Sequence, residues 1–148
     1  MRYIKNKTES KPSPQEIINT DIPASLDEIK SQLDILYQFC SDIVIREFVF
    51  GSPESRGLIV YFDGLVNKDE IENNILRPLL LDIDLLENKE DLSDQDIINE
   101  VKSRIISPAE LKGVKTWDEL GRHISSGDCV VLIDGYGEGL VAGTRSWQ

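Results

Sequence analysis

Residues 127–148 read GDCVVLIDGYGEGLVAGTRSWQ, and this stretch decides how the sheet is organised. The apolar run Val130–Ile133 predicts a strand, Asp134-Gly135 predicts a tight turn, and Glu138–Trp147 predicts the returning strand. A globular domain seldom ends on an exposed Arg-Ser-Trp-Gln. We therefore expect the chain to be cut from a longer protein.

The same strand, turn and strand pattern occurs earlier in the chain. Asp42–Phe50 and Leu58–Phe62 are rich in β-branched and aromatic residues, and glycine and proline separate them, which predicts a second hairpin. Leu58–Phe62 and Val130–Ile133 are continuously apolar, as strands covered on both faces are, whereas the other two strands carry charged residues. The sequence therefore predicts an α/β fold (α+β) with a four-stranded mixed sheet, order 1-2-3-4, two hairpins and a helical crossover.

The long crossover permits the two central strands to be parallel neighbours. Both strands end in Asp-Gly, at Asp63-Gly64 and at Asp134-Gly135. If the strands are parallel, Asp63 and Asp134 lie at one edge of the sheet.

A series of N-terminal capping residues predicts the helices that cover this sheet. The predicted caps are Ser25 with Glu28, Asn67 with Glu70, Ser93, Ser107 with Glu110, and Thr116 with Glu119. Pro78 should kink or end the second of these helices. The side chains expected to pack on the central strands include Leu33, Ile75, Val101 and Ile105. Residues 1–22, with few large apolar groups, are predicted to be a flexible polar tail, and residues 23–148 a single α/β domain.

Composition excludes several classes of function. The 148 residues are 40% hydrophobic and 29% charged, which is typical of one soluble domain. A net charge of −11 argues against binding to nucleic acid or to anionic membranes, which require clustered Lys and Arg. No apolar run approaches the roughly 20 residues that span a bilayer, so the chain is expected to be soluble and cytosolic. The two cysteines, Cys40 and Cys129, are interpreted as small buried hydrophobic residues.

The paired Asp-Gly sequences permit two interpretations. Two neighbouring carboxylates could hold a metal ion or perform acid/base chemistry. Alternatively, Asp accepts backbone hydrogen bonds in a turn and Gly supplies positive φ, and we favour this interpretation because nothing supplies further ligands in register. In the same way, the glycine-rich segment 135–139 is interpreted as a hairpin tip and not as a phosphate-binding loop, since a strand follows it.

Two further features are interpreted conservatively. Residues 63–100 carry twelve acidic residues against three basic ones, which predicts a solvated acidic face and, as a second choice, a surface for a basic partner. The only histidine, His123, is interpreted as a residue at the solvent edge or the C-terminus of a short helix.

Three separate segments carry a family resemblance. They are Arg56–Leu80 (RGLIVYFDGLVNKDEIENNILRPLL), Thr116–Ser126 (TWDELGRHISS) and Gly127–Gln148. Together they resemble the N-terminal soluble domain of the A subunit of bacterial spore germinant receptors, a similarity that runs from about Leu26 to Gln148.

The resemblance implies an N-terminal domain of two similar α/β subdomains, of which this chain is the first, followed by membrane segments. It implies a receptor in the inner membrane of the spore, with this part on the cytosolic side. The implied partners are a permease-like B subunit, a lipoprotein C subunit and sister A subunits. The implied ligand is a small nutrient, such as an amino acid, sugar or nucleoside, that triggers germination. The resemblance implies neither a catalytic residue nor a cofactor.

Three roles remain open at this point. The domain could assemble the receptor and transmit its signal, which we favour, or form one wall of a germinant-binding cleft resembling that of solute-binding proteins. A metal-dependent hydrolase using Asp63 and Asp134 is the third, outside possibility. The candidate ligand or interface residues are Asp63, Gly64, Asp134, Arg145 and Trp147.

Overall fold

A single antiparallel sheet forms the centre of the computed structural model, which describes residues 12–51, 54–81, 93–106 and 111–144. Its strands are β1 (Ile43–Phe50), β2 (Ser55–Phe62), β3 (Lys112–Val114), β4 (Cys129–Ile133) and β5 (Gly139–Ala142). Within the described ranges the strand order is β1-β2-β4-β5-β3, and every neighbouring pair is antiparallel.

Helices lie on both faces of this sheet. They are α1 (Pro14–Ile17), α2 (Leu26–Leu36), α3 (Lys68–Glu70), a π-helical segment (Ile71–Leu76), α4 (Arg77–Leu81), α5 (Asp94–Arg104) and α6 (Trp117–Ser125). The fold is therefore α/β, as predicted, with three layers.

The predicted central pair is adjacent and central, but the prediction of parallel pairing was wrong. Gly57 lies opposite Ile133 and Val60 opposite Val130, which is antiparallel register. The four-strand order 1-2-3-4 was also wrong, because β3 pairs with β5 and occupies the edge that the returning strand was expected to form. Since β3 and β4 each run antiparallel to β5, they are parallel to each other. The parallel strands joined by a helix are thus β3 and β4, and α6 connects them.

Two hydrophobic cores explain why Leu58–Phe62 of β2 and all of β4 are apolar. Side chains alternate between the faces of a strand, so Ile59 and Tyr61 enter one core while Leu58 and Val60 enter the other. The first core packs against the π-helical segment, α4 and α5, and it contains Ile75, Val101 and Ile105. The second core packs against α1, α2 and α6, and it contains Leu33. All four helical residues predicted to pack on the central strands are buried.

The predicted caps are largely confirmed. Thr116 and Glu119 form a reciprocal capping box at α6, and Ser93 forms one at α5 with Asp96. The Ser25 hydroxyl accepts from the Glu28 N–H, and the Asn67 side chain accepts from two backbone N–H groups of α3. The predicted cap at Ser107 and Glu110 lies outside the described residues.

Pro78 does not end its helix, contrary to one of the two outcomes expected for it. The helical path continues to Leu81, and the π-helical segment lies immediately before the proline turn. Pro78 has no N–H to donate to the carbonyl of Asn74, four residues earlier. That carbonyl accepts instead from the Ile106 N–H at 2.8 Å, which ties the end of α5 to the π-helical segment.

The domain begins earlier than predicted. Residues 12–22 were assigned to a flexible tail, yet Ser13 and Glu16 form a capping box at α1, and Ile17 and Ile22 are buried in the second core. Asp21 also forms a β-bridge with Thr116. These two isoleucines lie in a stretch with few other large apolar residues, so their burial depends on distant parts of the chain.

Candidate interaction sites at the two ends of the sheet

Asp134 lies directly after β4 and caps a helix from a distant part of the chain. Its Oδ1 accepts a hydrogen bond from the Leu26 N–H, the first residue of α2, at 2.8 Å. Its own N–H donates to the Arg56 carbonyl at 2.9 Å, and the following Gly135 N–H donates to the Ala24 carbonyl at 2.7 Å. A carboxylate at a helix N-terminus satisfies a free N–H and is favoured by the helix dipole. Asp134 therefore holds α2 against the end of the sheet.

Arg56 connects this carboxylate to two others on the surface. Its guanidinium lies 3.2 Å from Asp27 Oδ1, 3.3 Å from Glu47 Oε2 and 3.8 Å from Asp134 Oδ2. The hydrogen bond with Asp27, aided by the nearby negative charges, raises the pKa of Arg56. Lys30 completes the network at 2.9 Å from Glu47. Because these side chains are partly or fully exposed, solvent screens each pair and its contribution to stability is small.

Asp63 and Gly64 form a turn at the opposite end of the sheet. Asp63 Oδ1 lies 2.7 Å from Lys68 Nζ, and this hydrogen bond raises the pKa of Lys68. The Asp63 N–H donates to the Asp42 carbonyl at 2.9 Å. Gly64 has a φ of 93°, a backbone angle that residues other than glycine seldom adopt. Gly135 has the same φ after Asp134. This geometry supports the turn interpretation of both Asp-Gly sequences.

The antiparallel pairing separates the two aspartates that were expected at one edge of the sheet. Asp134 lies beside Arg56, and Asp63 follows seven positions further along β2. At about 3.3 Å per residue, the two lie roughly 20 Å apart. The described ranges contain no group of three or more His, Cys, Asp or Glu side chains placed around one metal ion. Asp63 and Asp134 therefore do not form the paired-carboxylate site that the hydrolase hypothesis requires.

The other candidate residues, Arg145 and Trp147, lie outside the described residues. The last described residue, Thr144, is buried, and its hydroxyl donates to the Gly127 carbonyl at 3.1 Å. Its carbonyl accepts from the Asn67 N–H at 2.6 Å. Since Asn67 comes shortly after the Asp63-Gly64 turn, the described chain reaches its last residue at the Asp63 end of the sheet.

Residues 135–139 connect β4 to β5, so the hairpin-tip interpretation agrees with the topology. Gly137 has a φ of 76°, and the segment leads into a strand and not into a helix. The phosphate-binding alternative requires a helix N-terminus at this position.

The structure places the two cysteines differently from each other. Cys129 is buried in β4 as predicted, and burial raises the pKa of its thiol to about 12. Cys40 is exposed, so the prediction of burial was wrong for this residue. The helical period places Cys40 on the buried face of α2, but α2 ends at Leu36.

Sequence reasoning missed Phe39, whose side chain is 92% exposed in the turn after α2. The ring of the neighbouring Tyr37 packs edge-on against Phe62 at 6.0 Å between centroids. An open groove of about 240 Å³ lies nearby, lined by Pro14, Gln15, Ile18, Leu36 and Tyr37. None of these lining residues is charged.

His123 lies near the C-terminus of α6, as predicted, with Nδ1 3.1 Å from Asp128 Oδ2. The described helices are all too short or too polar to cross a bilayer.

These features define a three-layer α/β/α domain in which the described candidate residues, Asp63, Gly64 and Asp134, serve in turns, a helix cap and surface ion pairs. Residues 27–148 match the family described as Bacillus/Clostridium GerA spore germination protein, and the chain belongs to this family. The predicted resemblance to A subunits of spore germinant receptors is thereby confirmed.

Similar proteins of known sequence are longer. The chain is 32% identical over 133 residues to the uncharacterized membrane protein YfkQ of Bacillus subtilis (strain 168), covering 88% of this chain and 24% of that protein. It is 26% identical over 109 residues to spore germination protein KA of the same organism, covering 73% of this chain and 19% of that protein.

A solved structure shares the fold. The N-terminal domain of the A subunit of the Bacillus megaterium spore germinant receptor GerK3 matches with a TM-score of 0.70 and 26% identity, covering 87% of this chain and 49% of that chain. The chain thus spans less than a quarter of the length of these two curated relatives and about half of the solved chain.

Proposed function

We propose that this domain is a module of a spore nutrient-germinant receptor and acts in receptor assembly and signal transmission. The observation that carries the proposal is the match of residues 27–148 to the germination family, together with the shared fold of a germinant receptor A-subunit domain. Those relatives are named as receptor subunits and germination proteins, and the proposal assigns the domain no catalytic role.

Assembly is favoured over ligand capture because the carboxylates of the two described candidate aspartates, Asp63 and Asp134, already have partners within the domain. Asp134 binds Leu26 and faces Arg56, and Asp63 binds Lys68. The groove beside Tyr37 is lined mainly by apolar side chains. A nutrient such as an amino acid needs charged or hydrogen-bonding partners in its pocket, and this groove has no charged residue and only Gln15 and Tyr37 as polar ones.

The wider setting forms part of the same proposal. The domain is the first lobe of a larger N-terminal domain, belongs to a multi-pass protein of the spore inner membrane and lies on its cytosolic side. Its partners are the permease-like B subunit, the lipoprotein C subunit and sister A subunits.

The proposal is tested by removing the gene that encodes this chain from its spore-forming host. We expect the spores to lose their response to at least one nutrient in a panel of amino acids, sugars and nucleosides, and the intact gene to restore it. Affinity purification of the tagged protein from spore membranes should recover the B and C subunits. Normal germination on every nutrient, with no partner subunit recovered, would contradict the proposal.

Arg145 and Trp147 are proposed as interface residues of the intact protein. An arginine beside an aromatic is a common composition of an interface hot spot. Trp147→Ala in the intact protein should reduce recovery of the partner subunits or the germination response, while the melting temperature of the 148-residue chain stays unchanged. If Trp147→Ala unfolds the 148-residue chain, Trp147 belongs to the core of this domain and the interface assignment is wrong.

The germinant-binding cleft is the second candidate, because the match covers only 49% of the solved relative's chain, which leaves room there for a second lobe. Isothermal titration of a protein extended through such a lobe, against amino acids, sugars and nucleosides, separates the two roles. Binding by the extended protein and not by the 148-residue chain would select the cleft. Absence of heat with every nutrient would favour assembly.

A further inference from the structure

The groove beside Tyr37 lies between α1 and the end of α2. Its volume is about 240 Å³, and its walls are Pro14, Gln15, Ile18, Leu36 and Tyr37. Ile18, Leu36 and Tyr37 pack against the second core and remain partly exposed. Burial raises the pKa of Tyr37 to about 12, so the groove itself presents no charge at neutral pH. An open apolar surface of this kind gains stability when an apolar group covers it.

Residues 1–11, which read MRYIKNKTESK, have a composition that matches this groove. They lie outside the described ranges, and we call them the N-terminal segment. Tyr3 and Ile4 are adjacent in the segment and supply an aromatic and an aliphatic group. Its charged residues are four basic and one acidic, which gives a net charge of +3: Arg2, Lys5, Lys7 and Lys11 against Glu9.

The surface beside the groove is acidic. Glu16 follows Gln15 on α1, and Asp34 lies three residues before Tyr37, which makes the two neighbours on the surface of α2. Both carboxylate residues are exposed, and we call them the acidic rim. Neither α1 nor the last turn of α2 carries a basic residue. Since the whole chain carries −11 and the N-terminal segment +3, the rest of the chain carries −14, which attracts the segment.

The chain brings the N-terminal segment close to the groove. Pro14, a groove residue, comes only three positions after Lys11. Ile4 precedes Pro14 by ten residues, which extend to roughly 33 Å, whereas the four residues of α1 are about 6 Å long. The segment is therefore long enough to turn back over α1. A short tether also gives an effective concentration on the order of 1 mM, so weak contacts are enough to keep the groove occupied.

We propose that the groove is the docking site of the chain's own N-terminal segment, with Tyr3 and Ile4 as the apolar anchors. The lysines that follow these anchors then face the acidic rim. The docked segment adds cover to the second core, and any partner that used the groove would first have to displace it. The inference goes beyond the proposed function and does not depend on it.

Cys40 provides a probe of this contact, because it lies three residues after Tyr37. Its thiol is exposed, whereas the Cys129 thiol is buried with a pKa raised to about 12. A maleimide spin label should therefore modify Cys40 selectively in the folded 148-residue chain. The paramagnetic label broadens the NMR signals of nearby amides. The measurement compares the amide intensities of Lys5 and Asn6 before and after the label is reduced.

We expect Lys5 and Asn6 to lose most of their amide intensity in the unsubstituted chain, because the docked segment lies beside Tyr37. The double substitution Tyr3→Ser and Ile4→Ser should restore the intensity by removing the anchors.

Ile18→Lys should restore the intensity from the groove side, since it places a cation where the apolar anchors dock. Leu80→Lys is the matched control, because Leu80 is an apolar residue with 40% exposure on α4, which packs on the first core. This substitution should leave the loss of intensity unchanged. Circular dichroism verifies that each variant is folded. If Ile18→Lys unfolds the domain, the double substitution, which leaves the groove intact, decides the question.

Two results would overturn the proposal. One is equal intensity of Lys5 and Asn6 in the unsubstituted chain and in the double variant, which would leave residues 1–11 as the free tail that their composition predicts. The other is broadening that disappears on dilution, because the groove would then be occupied by the segment of a second copy.

Discussion

At the scale of single residues, Asp134 shows how one side chain serves two structural tasks. Its carboxylate caps α2 through Leu26, which lies 108 positions away in the sequence, and it faces Arg56 at 3.8 Å. Asp63 looks equivalent in sequence, but its carboxylate contacts only the nearby Lys68 among the described partners. The two Asp-Gly pairs therefore contribute differently to the free energy of unfolding.

Asp134→Ala should lower the free energy of unfolding by about 1 kcal/mol, as expected for loss of a helix cap, with a small addition from Arg56. Asp134→Asn should lose less, because the amide oxygen still accepts from Leu26. Asp63→Ala is the matched control and should cost less than Asp134→Ala, since it removes only a surface ion pair. Urea denaturation of the three variants measures the difference. Equal losses for Asp63→Ala and Asp134→Ala would disprove the capping role.

At the scale of elements, the N-terminus of α6 combines a cap with a pH-sensitive group. The Glu119 carboxylate accepts from the backbone N–H groups of Lys115 at 2.9 Å and Thr116 at 3.3 Å. These bonds, that of Lys115 first, lower the pKa of Glu119 below its ordinary value of 4.5. Because the folded-state pKa is lower than the unfolded one, this stabilisation is present above pH 4.5 and is lost as the pH falls through the folded-state pKa.

Glu119→Gln should therefore be less stable than the unsubstituted chain at neutral pH, and the two should converge in acid. Urea midpoints measured from about pH 7 to about pH 3 follow this difference. Glu28→Gln is the matched control, because Glu28 occupies the same position in α2 and has no reciprocal bond to its cap in the described structure. A difference between Glu119→Gln and the unsubstituted chain that stays constant with pH would contradict the assignment.

The central strand β4 provides a second test at this scale. Val131 is fully buried and belongs to the first core, on a strand with strands on both sides and helices over both faces. Val131→Asp should unfold the domain, because an unpaired buried charge costs several kcal/mol against a total stability of about 5–15 kcal/mol. Val49→Asp, on the edge strand β1 with the side chain 46% exposed, should leave the domain folded. Circular dichroism distinguishes the two outcomes.

At the scale of the whole molecule, strand direction decides which chemistry is possible. Antiparallel pairing of β2 and β4 places Asp63 and Asp134 at opposite ends of the sheet, and Asp134 and Asp63 each already contact a cationic side chain. The topology therefore places Asp134 and Asp63 on two different surfaces. One surface holds α2 through Asp134, and the other includes Phe39 and the last described residue.

Added Ca²⁺, Mg²⁺ or Zn²⁺ at low-millimolar concentration should leave the melting temperature unchanged. A metal that bound only the native state would raise it by mass action. Thermal melts with each metal, and with a chelator as the blank, provide the measurement. A rise of several degrees that disappears in Asp63→Asn or Asp134→Asn would revive the metal site.

The sequence alone determined the features that depend on neighbouring residues. The continuous apolar runs of β2 and β4 predicted that helices cover both faces of these strands. The cap of α6 was predictable for the same reason, because its residues lie within four positions of one another. Only the tertiary structure decided strand direction, the edge position of the three-residue β3, the cap from Asp134 to Leu26 and the exposure of Phe39. These features depend on which distant segments pair, and the long crossover between β2 and β4 permitted either direction. The packing of the two cores as a whole selected the antiparallel direction. No short window of sequence contains that packing.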